Sequence, residues 1–191
     1  MNNYISSDTL KDYAELLNAK GSAEDKRAIE ESQGYIRLDN LPDSIFTVFK
    51  HSPCVFVFNP DPDDKDGIGH WTLFSCIEGG VPNTRKQVYE YFDPLRYYNG
   101  GDIPEEIYQL FQRSLPPEDY DVEIELVPIS FPLQDIAATN CGCWVSLRLL
   151  MFHLDIKSWY NFIINVTQGA KITPDLFCNT IICPVVGEDP E

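Results

Sequence analysis

Apolar residues recur with several different periods along this chain, and each period predicts an element. Leu10, Tyr13, Ala14 and Leu17 follow helical spacing, with Ser7 or Asp8 as the cap and Gly21 as the stop. Segment 54–59 is a short apolar run and reads as a buried strand. Segments 71–77 and 87–92 read as two more strands, around a turn region Gly79-Gly80-Val81-Pro82-Asn83. Asp102 caps a helix with Glu105 placed for a capping box, and Ile107, Leu110 and Phe111 form its apolar face. Val122, Ile124 and Leu126 alternate with Glu123 and Glu125, the pattern of a half-buried strand. Segment 141–154 is apolar nearly all round, which predicts a buried central helix. Segment 158–166 predicts another helix, and Thr173-Pro174 opens a last short one by the cap-then-proline rule. Helices around a mixed, mostly antiparallel central sheet make the expected class α+β. No repeat, low-complexity tract or linker interrupts the 191 residues, so residues 1–191 are expected to form one domain.

Composition narrows the partners. The formal net charge is -16, so phosphate backbones repel the chain and DNA is not expected as a ligand. Basic or neutral protein partners suit it better. The acid gathers in segments 61–66, 118–125 and 188–191, which read as solvated loops and edges. Residues 1–20 are polar and mixed in charge, without the apolar core of a signal peptide. No apolar run reaches the roughly 20 residues of a membrane span. An intracellular, non-secreted protein with no membrane association is expected, its six cysteines reduced. In that setting the sequon Asn165-Val166-Thr167 reads as a chance match.

The chemistry concentrates in three places. Gly69-His70-Trp71 begins one predicted strand, and Tyr91-Phe92-Asp93-Pro94 ends the next. A hairpin centred between residues 81 and 82 sets His70 directly opposite Asp93, on one face, with Cβ atoms about 5 Å apart. A carboxylate there can hold the imidazole's tautomer and stabilise its cation. Gln134 stands seven positions before Cys141, and Gly142 follows the thiol. Thr139-Asn140 is cap material, so Cys141 is expected at a helix N-terminus, where partial positive charge favours a thiolate. Gly142 lets another backbone approach and leaves room beside the sulfur. The Gln134 amide and the Cys141 backbone N–H can stabilise an oxyanion. Thiol, imidazole, carboxylate and amide are the parts of thiol-based acyl transfer. Cys54, Cys76, Cys178 and Cys183 read as buried structural thiols, and Cys143, two positions into the helix, points away from the face of Cys141.

At these residues the chain resembles the adenovirus-type (adenain-like) and Ulp-type cysteine peptidases. The likeness lies in His70-Trp71, Asp93, Gln134 and Cys141-Gly142, in that order. The seven-residue gap and the Phe92-Asp93-Pro94 context look like the adenoviral form. Leu38-Asp39-Asn40-Leu41-Pro42 looks like the Asp-x-Leu-Pro stretch of virophage and Polinton-type maturation proteases. The resemblance covers roughly residues 35–155. It implies a papain-like α+β fold and catalytic residues His70, Asp93, Gln134 and Cys141. It implies that Trp71 walls the cleft and narrows it for small substrate residues beside Gly142. It implies cleavage after small residues, often Gly-Gly or Gly-x, without metal or other cofactor. The substrates it implies are viral precursors or ubiquitin-like modifiers. Asn140 departs from the Asp usual in Ulp-type enzymes, and the loop between His70 and Asp93 is somewhat long.

Read as a viral maturation protease, the chain is expected to be a monomer acting on capsid or core precursors in host cytoplasm, virus factory and virion. Removal of a ubiquitin-like modifier and an inactive peptidase-fold binding module are the alternatives. A zinc-stabilised interaction module using Cys141, Cys143, His153, Cys178 and Cys183 is a further one, weakened by the absence of Cys-x-x-Cys knuckles.

Overall fold

A computed structural model describes residues 35–50, 53–60, 69–79, 86–96, 103–114, 121–152 and 154–186, with side chains to residue 182. The helix expected around residues 10–17, the cap at Asp102, most of the hairpin turn and two of the acidic clusters lie outside the described residues. The elements are β1 (Tyr35–Arg37), a 3-10 turn (Leu38–Asn40), α1 (Ile45–Val48), β2 (Cys54–Pro60), β3 (Gly69–Glu78), β4 (Lys86–Phe92), α2 (Glu105–Ser114), β5 (Asp121–Leu126), α3 (Cys141–Leu150), α4 (Ile156–Ala170) and α5 (Pro174–Val186).

The five strands form one mixed sheet in chain order, flanked by helices. The β2–β3 and β3–β4 pairings are antiparallel. The outer pairings, β1–β2 and β4–β5, are parallel, so the sheet is less antiparallel than its strand pattern predicts. The reason is topological. Helix α2 carries the chain across the sheet between β4 and β5, and such a crossover returns the strand parallel.

Both faces of the sheet are covered, which is why residues 71–76 of β3 and 87–92 of β4 are buried on both sides, polar ones included. Phe56, Phe58, Trp71, Leu73 and Phe92 pack with Trp144, Val145 and Leu147 of α3, Trp159 and Ile163 of α4 and Ile182 of α5. Val57, Phe74, Tyr89 and Tyr91 pack with Ile45, Phe49 and the expected α2 face of Ile107, Leu110 and Phe111.

Every residue from Cys141 to Arg148 is buried, including that arginine. A lone guanidinium could not stay there, because an unpaired buried charge costs several kcal/mol or more. Its Nε and Nη2 donate to Glu90 Oε1 and Oε2 at 2.8 and 3.0 Å. Nη1 and Nη2 also donate to the carbonyls of Met151 and Leu154, at 3.1 and 3.2 Å. Those two bonds close the chain after Leu150, so the helix stops four residues short of the apolar run that predicts it. The other helices follow local rules. Asp155 accepts from the backbone N–H of Lys157 and Ser158 and opens α4 ahead of its predicted start. Lys171, at φ 56°, closes it. Thr173 Oγ1 accepts from Leu176 N at 3.2 Å and opens α5.

Hairpin register departs from the expected one by two residues. Leu73 pairs with Phe92 and Phe74 with Tyr91. Continuing that ladder sets Asp93 across from Thr72, with His70 one diagonal along. An even slip preserves the face of every side chain, so His70 and Asp93 still share one.

Replacing Arg148 with Met should lower unfolding stability by about 3–5 kcal/mol in urea titrations, because Glu90 is left buried without its partner. Adding Glu90→Leu should return much of that loss. A single-variant effect below about 1 kcal/mol would show that the pair does not hold α3 to the sheet.

Candidate active site

His70 is the second residue of β3, and Asp93 follows the last residue of β4. In an antiparallel pair these positions meet at one end of the sheet. Gly69 lets the chain begin β3 here. A Cβ on it would lie 2.5 Å from Asn59 O and from Phe58 Cζ, so β2 and β3 can pair this tightly only without a side chain. His70 Nε2 hydrogen-bonds Asp93 Oδ1 at 2.7 Å, with both side chains mostly buried. Leu95 N donates to the same Oδ1 at 2.8 Å, and Arg96 N to Asp93 O at 3.1 Å. The Asp-Pro turn therefore fixes the carboxylate from behind while the imidazole takes its front. The carboxylate serves as turn former and histidine partner at once.

Cys141 opens α3 beside the same end of the sheet. Trp71 N–H donates to its Sγ at 3.5 Å. The Gly142 backbone N–H and the His70 side chain also lie close enough to favour charge on the sulfur. With Nε2 committed to Asp93, Nδ1 is the imidazole nitrogen left for Cys141. Burial pushes the Cys141 thiol up, but His70 and the two backbone donors outweigh it and hold the thiol below its ordinary value. Burial likewise pulls His70 down, and its bonds to Asp93 and Cys141 outweigh that, raising it to about 9. The two shifts run in the same direction: the imidazole holds its proton more tightly than usual and the thiol holds its proton less tightly. Cys54 behaves oppositely: burial carries it up to about 12. Cys76 also rises through burial. Cys143 is fully enclosed in the core.

Gln134 is buried at 1% exposure, in the loop that leads to Cys141. Its Nε2 donates one hydrogen to Ala138 O at 2.9 Å, leaving the second for another acceptor. Its Oε1 is buried without a hydrogen-bond partner. Ala137 N to Asp135 Oδ1 and Ala138 N to Asp135 O, both at 2.9 Å, tighten the same loop. No contact joins Gln134 directly to Cys141 among those described.

Asn140 holds the N-cap position of α3 but does not cap it. Its side chain makes no bond to the helix start and donates instead to Asp175 Oδ1 and Asn179 Oδ1, both at 3.0 Å. The expected polar cap is thus recruited by α5, and Cys141 faces the helix end without a competing side-chain acceptor. The Trp71 indole is buried against Tyr35 and Phe58, at ring separations of 5.4 and 4.8 Å. Its backbone N–H is the part that meets the sulfur.

Asp175 and Leu95 carry no sequence signal toward the site. Asp175 reads as first-turn acid of a helix, and Leu95 contributes only a backbone group. The Asp-Pro pair at 93–94 is the one local hint that the carboxylate is held in a turn. Among the described residues, no group of three His, Cys, Asp or Glu side chains is arranged to hold a metal ion. No helix among them is long and apolar enough to cross a membrane. No protein-family model matches the chain, and none of the curated proteins searched matches it.

The two shifts predict a pH profile. Cys141 should react with iodoacetamide near neutral pH, far faster than Cys54. Turnover should fall on the basic side as pH rises through about 9, where His70 loses its proton. Asp93→Asn should move that basic limb down, since it removes charge that favours the imidazolium. A limb unmoved by Asp93→Asn would mean that His70 does not set it.

Proposed function

We propose that the protein is a cysteine endopeptidase that cleaves viral capsid or core precursor proteins after small residues, of Gly-Gly or Gly-x type, during virion maturation. One observation carries the enzymatic part: the 2.7 Å bond from His70 to Asp93 beside a Cys141 thiol whose proton is held weakly. In the resemblance to adenain-like peptidases these positions are base, orienter and nucleophile. The viral part rests on the seven-residue interval from Gln134 to Cys141 and on the Asp-x-Leu-Pro-like segment at residues 39–42.

In this reading the Cys141 thiolate attacks the scissile carbonyl carbon and forms a C–S bond. The carbonyl oxygen takes the negative charge, stabilised by the Gln134 amide and the Cys141 backbone N–H. Asp93 holds the His70 ring in place. His70 gives its proton to the departing amine as the C–N bond breaks, leaving a thioester. Water, deprotonated by His70, attacks the thioester, and the carboxylic product leaves the thiolate restored. The arrangement follows papain-like logic, with a nucleophile at the start of a buried helix. In the resemblance Trp71 and Gly142 border the approach to the sulfur, which suits small residues on the acyl side; here the backbone N–H of Trp71 is the part beside the sulfur.

Incubation with virion precursor proteins and, separately, with ubiquitin-like conjugates should give cleavage of the precursors, with mass spectrometry locating cuts after small residues. Cleavage confined to conjugates would reassign the substrate to the modifier class. A folded protein that neither cuts nor labels at Cys141 with a peptide vinyl sulfone ending in Gly would be a binding module. Cys141→Ala should abolish cleavage with the fold intact, and Cys143→Ser should stay largely active. His70→Ala should cost roughly 10²–10⁴-fold and Asp93→Asn less. Gln134→Ala should lower kcat by about 10²–10³-fold with KM little changed.

A further inference from the structure

Asp175 lies in the first turn of α5, far along the chain from every residue of the site. It nevertheless meets the loop and helix that carry two of them. Its Oδ2 accepts from the backbone N–H of Asp135 at 2.7 Å. Its Oδ1 accepts from Asn140 Nδ2 at 3.0 Å and from Trp144 Nε1 at 2.8 Å. These donors have a pattern. Asp135 directly follows Gln134, Asn140 directly precedes Cys141, and Trp144 sits one turn into the nucleophile's helix. One carboxylate thus brackets the segment from Gln134 to Cys141 at both ends.

We infer that Asp175 is a positioning residue that sets the distance between the Gln134 amide and the Cys141 sulfur. The inference rests on the cysteine-peptidase reading above. Three donors converge on two oxygens, a demand that a carboxylate meets and an amide does not. Charge-assisted bonds of this kind are roughly twice as strong as neutral ones. Gln134 has no direct tie to Cys141, and its only described bond is to Ala138 in its own loop. The loop is therefore only as well placed as its anchor. Asp175 holds that anchor without being among the groups that act on the Cys141 sulfur, which are His70 and the backbone N–H groups of Trp71 and Gly142. It acts on oxyanion stabilisation and leaves the nucleophile's activation alone.

Asp175→Asn separates the two. With its oxygen kept toward Asn140 and Trp144, the new NH2 faces the Asp135 N–H, donor against donor, and the loop end is released. On a fluorogenic peptide amide ending in Gly-Gly, kcat per folded site should fall by about 10–100-fold, with KM within about twofold. The pH profile of Cys141 alkylation by iodoacetamide should not move. Unchanged kcat per folded site, or a shifted alkylation profile, would overturn the inference. If Asp175→Asn does not fold, Trp144→Phe removes one donor, keeps the Asp135 bond, and should lower kcat about threefold; no fall would count against it. If the unsubstituted protein neither labels nor cleaves, the peptidase reading fails by itself. Amide hydrogen exchange then judges the clasp: Asp135 N–H should exchange at least about tenfold faster in Asp175→Asn while β3 and β4 stay unchanged. Equal exchange would sink the clasp as well.

Discussion

The buried ion pair between Arg148 and Glu90 fixes where α3 lies, and the site inherits its geometry from that placement. A helix that is apolar nearly all round has no preferred side to turn toward the sheet. Its one charge supplies the preference. Arg148 can be buried only where a carboxylate waits, and Glu90 on β4 is the partner in reach. Cys141 is seven residues earlier, two turns and about 10 Å along the same side of the helix. Once the C-terminal end is pinned at Glu90, the thiol falls beside the start of β3, at Trp71 and His70.

Two further polar devices refine that placement, and each combines a backbone group with a side chain. The Asp93 turn uses the Leu95 N–H to aim one carboxylate oxygen at the imidazole. The loop before Cys141 folds on Asp135 and Gln134 and is tied to α5 through Asp175. Tyr160 of α4 pins the beginning of the same loop, its hydroxyl meeting Ser130 N at 3.0 Å and Ser130 Oγ at 2.8 Å. Long irregular backbone is thus held at several points by side chains from the helices behind it. Such anchoring is what preorganised donors require.

Most of the regular elements were legible in the chain. The runs at 54–59, 71–77 and 87–92 have no regularly exposed face because helices cover both sides of the sheet. The face of α2 and the Thr-Pro start of α5 follow from spacing and capping alone. Misjudged features share a cause. Strand direction at the sheet edges depends on a crossover, the hairpin register on pairing outside the turn, and the end of α3 on an arginine reaching forward to two carbonyls. Each is decided by a partner distant in sequence, the last through Glu90, which lies 58 residues from Arg148 and holds its guanidinium in place.

The candidate residues divide the same way. His70, Asp93, Gln134 and Cys141 could be selected from the sequence because their chemical types, order and spacing suit acyl transfer. Even an error of two in register left His70 and Asp93 together, because side chains alternate with period two. The state of those groups needed the fold. A cysteine at position 141 differs from one at position 54 only in what surrounds it: burial raises both, and at the first an imidazole and two backbone N–H groups outweigh it. Sequence determined which chemical groups were present and which faces they shared. Tertiary structure decided which groups met and which thiol holds its proton less tightly, because electrostatic coupling acts over a few ångströms of space and takes no account of chain distance.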